Sequence, residues 1–168
     1  MKFVHLLITI LISATCLAQT RDYSFEVEGT VKGIDGELLT DFTVTVYEKG
    51  KVIYETVPKD GTFFFAVAIE SEAMIEISAD GFYSKRIAFK SKPELITVEV
   101  PVCELDMVLY NKEDYPELAE LEDVMDMPVA FLAYDRFGNV YDINEEQSNA
   151  LKLLIVSTIR ESRAMAKF

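Results

Sequence analysis

The sequence predicts a mainly β protein, in which an antiparallel β-sandwich is followed by a C-terminal α/β extension that ends in an amphipathic helix. The first observation is the alternation of apolar and polar residues over residues 23–110. The second is the recurrence of Gly, Pro and Asp turn residues about every eight to twelve positions in this region. The third is the change to helical spacing within residues 111–168. We therefore expect a sandwich over 23–110 and an extension over 111–168.

The sandwich strands are predicted from this alternation in chain order. In the first strand Phe25, Val27 and Val31 share one face, and polar residues occupy the other. Gly61 and Gly81 are predicted to adopt positive φ in turns, with the preceding Asp60 and Asp80 bonding the turn backbone. Residues 48–51 are predicted to form a hairpin turn. The remaining strands are predicted at 42–47, 52–57, 62–67, 74–79, 83–89, 95–102 and 105–110.

The extension is predicted to contain a short helix, a β-hairpin and a long helix. Pro116 marks the start of the short helix, because proline is favoured in the first helical turn. Residues 127–134 and 140–143 form the predicted hairpin, and Asn144 is the expected N-cap of the long helix, with Gln147 at the capping-box position. The apolar stripe of that helix is broad, which predicts extensive burial; it comprises Ala150, Leu151, Leu154, Ile155, Thr158 and Ile159, widened by Leu153 and Val156.

Residues 1–18 are typical of a secretory signal peptide. Lys2 precedes an apolar run that is too short to span a membrane, and small residues lead to the expected cleavage after Ala18. Cys16 raises the alternative of a lipid anchor, but Ser13 and Thr15 depart from the residues that lipoprotein signals prefer, so simple cleavage is favoured. The sequence therefore predicts export, to the periplasm, the outer-membrane surface or the exterior, and it contains no later segment expected to cross a membrane.

The charge balance limits the partners. The chain has 29 acidic and 16 basic residues, a formal net charge of −13, and every acidic residue follows Ala18. Such a surface repels phosphate backbones, so nucleic acid is not an expected partner. The same charge favours solubility, basic partners or divalent cations.

Residue types also limit the catalytic chemistry. The only histidine, His5, lies within the predicted signal, which leaves no Ser-His-Asp or Cys-His arrangement and no His-ligated zinc site after cleavage. Cys103 lies in an apolar alternation and is predicted to be a buried small hydrophobe. Paired carboxylates remain an alternative for glycosidase-type chemistry, but no pair stands out among the acidic residues. We therefore predict a non-enzymatic protein without a cofactor.

Calcium is the metal that the sequence suits best. Asp135, Asn139 and Asp142 cluster around one turn and offer oxygen ligands, although their spacing does not match an EF-hand. A hairpin turn rich in Asp and Asn explains these residues equally well. They are weak calcium candidates.

Two groups of residues are candidates for an interaction surface. Phe64 points opposite to Phe63 and Phe65, towards Tyr54 or Tyr47 if the neighbouring strands pair, and an exposed platform of this kind could stack a sugar or dock a partner. The interpretation that we favour is that the C-terminal helix covers this face. The second group is acidic and is either a solvated helix face or a contact for a basic partner; it comprises Glu117, Glu120, Glu122, Asp123 and Asp126.

Several stretches together resemble a carboxypeptidase-regulatory-like domain. They are residues 29–33 (GTVKG), 36–38 (GEL), 44–47 (VTVY), Thr56, 60–65 (DGTFFF) and 75–82 (IEISADGF). The resemblance covers about residues 25–110 and implies a transthyretin-like β-sandwich with a non-catalytic, accessory role in envelope or secreted proteins of Gram-negative bacteria. It implies no ligand, and residues 111–168 resemble no family known to us.

The function that these observations predict is an exported, non-catalytic protein-interaction module of the bacterial cell envelope, whose partner is another envelope protein. The alternative is a stand-alone binder of a glycan or another small molecule, acting through the aromatic face.

Overall fold

The structure is a computed structural model, and it describes residues 24–68, 71–90, 102–125, 127–135, 140–143 and 145–165. The predicted signal peptide, most of the strand predicted at 95–102, and the predicted cap Asn144 lie outside the described residues.

Ten strands and two α-helices follow one another along these residues. The short segment Pro116–Leu121 is a 3₁₀ helix with proline in its first turn, as the sequence predicts, and it leads directly into helix α1, Glu122–Met125. Helix α2 is Glu145–Met165. The strands are β1 Ser24–Gly33, β2 Thr43–Glu48, β3 Lys51–Thr56, β4 Thr62–Ala68, β5 Glu72–Ser78, β6 Lys85–Lys90, β7 Cys103–Glu104, β8 Met107–Leu109, β9 Pro128–Asp135 and β10 Val140–Ile143.

The strands form two sheets, so the predicted mainly β, sandwich-like fold is confirmed. In the smaller sheet β1 is central, with β4 on one side and β7 and β8 on the other. The larger sheet has the order β10-β9-β6-β5-β2-β3. Most pairs are antiparallel, but β1 pairs in parallel with β7 and β8, and β6 pairs in parallel with β9. The sheets are therefore mixed, whereas the sequence predicted antiparallel ones.

The core lies between the two sheets and is built by the alternation seen in the sequence. In β4 every second side chain is buried, and β1 and β5 follow the same rule over most of their lengths. Full burial of each such Phe, Ile or Val stabilises the fold by about 1.5–3 kcal/mol. The large side chains buried in this core include Phe25, Phe42, Phe63, Phe65, Phe89, Ile75, Ile77, Ile87 and Leu109.

The turn predictions agree with the structure at the glycines. Gly61 has φ +78° and Gly81 has φ +77°, conformations that side chains rarely adopt. Asp60 accepts hydrogen bonds from the backbone N–H (3.2 Å) and the hydroxyl (2.9 Å) of Thr62. Asp80 makes no comparable bond to a described residue. The hairpin turn between β2 and β3 is also confirmed.

Strands β3 and β4 do not pair, so the condition under which Phe64 would point towards Tyr54 or Tyr47 on a paired strand is not met. Strand β4 pairs with β1 over seven residues, from Ser24 opposite Ala68 to Thr30 opposite Thr62. Strand β3 pairs with β2 and ends the larger sheet. The turn between β3 and β4 thus carries the chain from one sheet to the other, and the pattern of alternation does not reveal such a crossing.

The extension joins the larger sheet through β9, which lies beside β6 and places Leu132 in the main core. Helix α2 packs on β9 and on the 3₁₀ helix. A second buried cluster forms there around Tyr83, Leu118 and Ile155. The extension therefore adds two strands to the sheet of the sandwich and a helix beside it.

The favoured prediction that the long helix covers Phe64 is wrong. Helix α2 buries Ile155 against the 3₁₀ helix, and Phe64 keeps 53% of its surface exposed on the other sheet. The predicted breadth of the buried stripe is wrong as well, because Leu153 and Val156 are 69% and 52% exposed. The helix buries a narrow stripe because its supports are one strand and a short helix.

Lys85 links strand β6 of the larger sheet to strand β8 of the smaller sheet. The ammonium of Lys85 on β6 donates a hydrogen bond to the backbone carbonyl of Val108 on β8, and lies 5.1 Å from the ring centroid of Tyr110. Burial lowers the pKa of Lys85 to about 8, because the charged form loses its hydration there.

Candidate binding groove

The outer face of the smaller sheet carries one exposed aromatic ring in a row with two carboxylates. Phe64 on β4 lies opposite Glu28 on β1, and Glu28 lies opposite Glu104 on β7. All three side chains are exposed, because they alternate with buried neighbours on their strands. With neighbouring strands about 4.8 Å apart, the row spans about 10 Å.

A second row runs beside the first and is held by hydrogen bonds. Thr62 on β4 lies opposite Thr30 on β1. Asp106 accepts hydrogen bonds from the hydroxyl of Thr30 at 2.6 Å and from its backbone N–H at 3.1 Å. Asp60 binds Thr62 at the other end of the row. These bonds fix the two aspartates at the ends of the row.

Tyr54 closes one side of this surface. It lies on β3, the edge strand of the larger sheet, and its hydroxyl donates a hydrogen bond to the carbonyl of Phe64 at 3.1 Å. Its ring lies 5.7 Å from that of Phe65 between centroids. The edges of the two sheets are thereby joined, and Thr56 and Pro58 continue the wall. The result is an open groove of about 610 Å³, which we call the Phe64 groove.

The groove is electrostatically negative. Its lining includes Glu28, Asp60, Glu104 and Asp106, and no basic residue among those that the structure describes. The hydroxyl and backbone hydrogen bonds from Thr62 lower the pKa of Asp60, and those from Thr30 lower the pKa of Asp106, because they stabilise the ionised form. Both aspartates are therefore charged at neutral pH.

The structure brings two of the three predicted aromatic residues together. Tyr54 and Phe64 both line the groove. Tyr47 does not, because it lies in β2 of the larger sheet, opposite Val52 and Met74, and is half-buried. The sequence identified the aromatic part of the groove but did not single out Glu28 or Glu104. Only the outward alternation of β1 marked Glu28, and the parallel pairing that adds Glu104 has no local signal.

The predicted acidic surface of the short helix is divided in the structure. Glu117 forms an ion pair with Arg163 of α2, with 3.4 Å between the carboxylate and the guanidinium, and its side chain is only 10% exposed. Glu117 therefore ties the short helix to α2 and is not an open contact for a partner. Glu120 is exposed, as predicted.

The three predicted calcium ligands lie around the turn between β9 and β10 in the sequence. The side chains of Asp135, Asn139 and Asp142 lie outside the described residues, although the backbones of Asp135 and Asp142 lie in the paired strands β9 and β10. Within the part of the chain that the structure describes, no three His, Cys, Asp or Glu side chains are grouped so as to hold a metal ion.

Cys103 is a core residue, as predicted. It is 2% exposed and packs between the sheets. Burial raises the pKa of its thiol to about 11, so the nucleophilic thiolate is disfavoured at neutral pH.

Among the described helices, none combines the length and the apolar character needed to cross a membrane.

No protein-family model matches the sequence. No curated protein matches it either. Several solved structures are similar to parts of the chain. Chlorocatechol 1,2-dioxygenase from Pseudomonas putida is 17% identical, with 55% of this chain and 63% of that chain covered and a TM-score of 0.35.

The dioxygenase domain of a dioxygenase carbohydrate-binding protein fusion from Streptomyces sp. SirexAA-E is 16% identical, with 56% and 84% covered and a TM-score of 0.38. A chain of a type II cohesin–X-dockerin complex from Acetivibrio cellulolyticus is also 16% identical, with 52% and 58% covered and a TM-score of 0.33. This chain thus spans less than two thirds of the Pseudomonas and Acetivibrio chains. We draw no functional conclusion from similarities this low.

Proposed function

We propose that this protein is an exported, non-catalytic interaction module of the bacterial cell envelope, and that it binds another envelope protein through the Phe64 groove. The observation that carries the proposal is the 53% exposure of Phe64 on the edge strand of the smaller sheet, where its ring borders the polar residues of the groove. Exposed aromatic residues in a groove are typical anchors of protein interfaces. The signal-like residues 1–18 support export.

The non-catalytic part of the proposal rests on the chemistry of the groove. Its polar groups are carboxylates, threonine hydroxyls and one tyrosine hydroxyl, and Tyr54 is occupied by its bond to Phe64. Cys103, the one cysteine after residues 1–18, is buried in the core and does not line the groove. The described groove thus offers carboxylates and hydroxyls as attachment points for a ligand, and no histidine or cysteine among its described lining residues.

Site-specific photocrosslinking in the producing cells tests this function. A photoreactive phenylalanine derivative is placed at position 64, and a matched control carries it at position 156, where Val156 is 52% exposed on α2. We expect the probe at 64 to yield one reproducible crosslinked envelope protein that the probe at 156 does not yield. Identical products at both positions, or no product at 64, would contradict the proposal. So would a hydrolytic activity of the purified protein that one carboxylate substitution abolishes.

A glycan is the second candidate ligand. Phe64 with neighbouring threonines and carboxylates is an arrangement that stacks a sugar ring and bonds its hydroxyls. A glycan array with the wild type and the Phe64→Ala variant separates the two functions. Binding of one glycan that the substitution abolishes would favour this candidate, and absence of glycan binding would eliminate it.

A further inference from the structure

The acids of the Phe64 groove differ in whether they already have partners. Asp60 and Asp106 accept hydrogen bonds from threonines. The carboxylates of Glu28 and Glu104 form no hydrogen bond or ion pair with another described residue. These two glutamates lie directly opposite each other on adjacent parallel strands. Like charges in that position destabilise a sheet. A bound cation would relieve this repulsion.

Phe64 complements that pair of carboxylates. It stands on the other side of Glu28, in the same row, with its ring exposed. An aromatic face attracts an ammonium or guanidinium group, and the apolar stem of Lys or Arg packs well on it. A ring beside two carboxylates therefore suits a group that is apolar along its length and positively charged at its end.

The dimensions of the row suit more than one such group. It spans about 10 Å from β4 to β7. In an extended segment, side chains on one face recur about every 7 Å. One basic side chain of such a segment would reach Phe64 and Glu28, and the next side chain on the same face would reach Glu104. The groove volume of about 610 Å³ is of the size that holds such side chains.

We propose that the Phe64 groove binds an extended segment of a partner protein that is rich in Lys or Arg, with one basic side chain lying on Phe64 and its cation held by Glu28, and a second basic side chain held by Glu104. This inference rests on the proposed interaction function and specifies its partner by chemistry. The charge complementarity of the groove is what selects this partner.

The test measures binding of fluorescein-labelled decalysine and decaarginine peptides to the purified full chain by fluorescence anisotropy, at about 150 mM salt to screen long-range attraction. A Gly-Ser peptide of equal length and spermine are the reference ligands. The variants are Phe64→Leu and the double substitution Glu28→Gln/Glu104→Gln. The control with the same charge change is Glu113→Gln/Glu161→Gln, at exposed positions outside the groove.

We expect at least one basic peptide to bind and the Gly-Ser peptide not to bind. Phe64→Leu keeps an apolar side chain but removes the aromatic face, and should weaken binding about threefold. Glu28→Gln/Glu104→Gln should weaken it about tenfold, while thermal unfolding shows the variant to be at least as stable as the wild type. The control pair should change binding less than about twofold.

Three results would overturn the inference: equal losses in the groove and control variants, equal binding of spermine and the peptides, or no binding of either basic peptide. The crosslinking experiment at position 64 remains independent of these outcomes. A partner crosslinked at 64 together with a failure of the basic peptides would refute the partner chemistry alone. Failure of both experiments would refute the interaction function as well.

Discussion

Gly29 is the position where one added methyl group should do most damage to both the fold and the groove. An ideal Cβ there would lie 1.9 Å from the carbonyl oxygen of Leu105, 2.6 Å from its carbonyl carbon and 2.9 Å from Cζ of Phe63. Real Cβ atoms essentially never approach other atoms closer than 3.0 Å, so the backbone around Leu105 would have to move by about 1 Å. The obstacle is largely backbone and cannot rotate aside.

The energetic cost of Gly29→Ala follows from that displacement. Overpacking at a closely packed site costs about 1–3 kcal/mol. The shift also strains the hydrogen bond from the N–H of Leu105 to the carbonyl of Glu28, 2.8 Å long, which is worth about 1 kcal/mol. We expect a total loss of about 3 kcal/mol in the free energy of unfolding, or about 10 °C in Tm for a chain of this size.

Equilibrium urea unfolding followed by circular dichroism measures this loss. The chain has no tryptophan, so far-ultraviolet circular dichroism is the more direct probe. Gly50→Ala is the matched control, because a Cβ there meets nothing within 4 Å and only the positive φ of +75° opposes it. The control should lose about 1–2 kcal/mol. If Gly29→Ala lost no more than the control, the reasoning from the close approach of β1 to the segment after β7 would be refuted.

Three further predictions concern the helix, the buried lysine and the joined sheet edges. Ile155→Ala should cost about 2–4 kcal/mol in urea unfolding because the Ile155 side chain is buried between α2 and the 3₁₀ helix, whereas Leu153→Ala on the exposed side of α2 should cost less than about 0.5 kcal/mol. The amine of Lys85 has a pKa of about 8 in the folded protein and an ordinary pKa of 10.5. Between these two pH values the amine is therefore more protonated in the unfolded chain than in the folded one. The free energy of unfolding of the wild type should therefore rise relative to Lys85→Met as the pH increases from about 7.5 to 9.5. Tyr54→Phe removes the hydrogen bond to the carbonyl of Phe64 but keeps the ring, and should cost about 1 kcal/mol.

Each of these has an outcome that contradicts it. Equal losses for the two helix substitutions would mean that α2 is not packed as described. A stability difference between wild type and Lys85→Met that stays constant over that pH range would show that the folded amine titrates as in the unfolded chain. A Tyr54→Phe variant as stable as the wild type would indicate that the hydroxyl bond between the sheet edges is not formed in solution.

Local pattern predicted much of the fold because it reports what each residue does within its own strand. Period-two alternation identified the buried face of β1 and β4. It also identified Cys103 as a core residue. The turn glycines Gly61 and Gly81 were predicted because positive φ is a local requirement.

The partners of the strands could not be predicted in the same way. Alternation shows which side chains share a face, but it does not show which strand lies alongside. The neighbours in sequence, β3 and β4, lie in different sheets, and β1 takes β7 as a parallel partner about 75 residues further along the chain. The same limit applies to α2, whose broad apolar stripe predicted more burial than its supports provide.

The Phe64 groove combines both kinds of information. The outward direction of Phe64 follows from the alternation of its strand, and its exposure follows from where α2 packs. Glu28 lies opposite Glu104 only because β1 and β7 are paired. The same pairing brings the carbonyl of Leu105 so close to Gly29 that no side chain fits there. The physical reason is that a side chain's direction depends on its own backbone, whereas its neighbours depend on long-range packing that minimises the free energy of the whole chain.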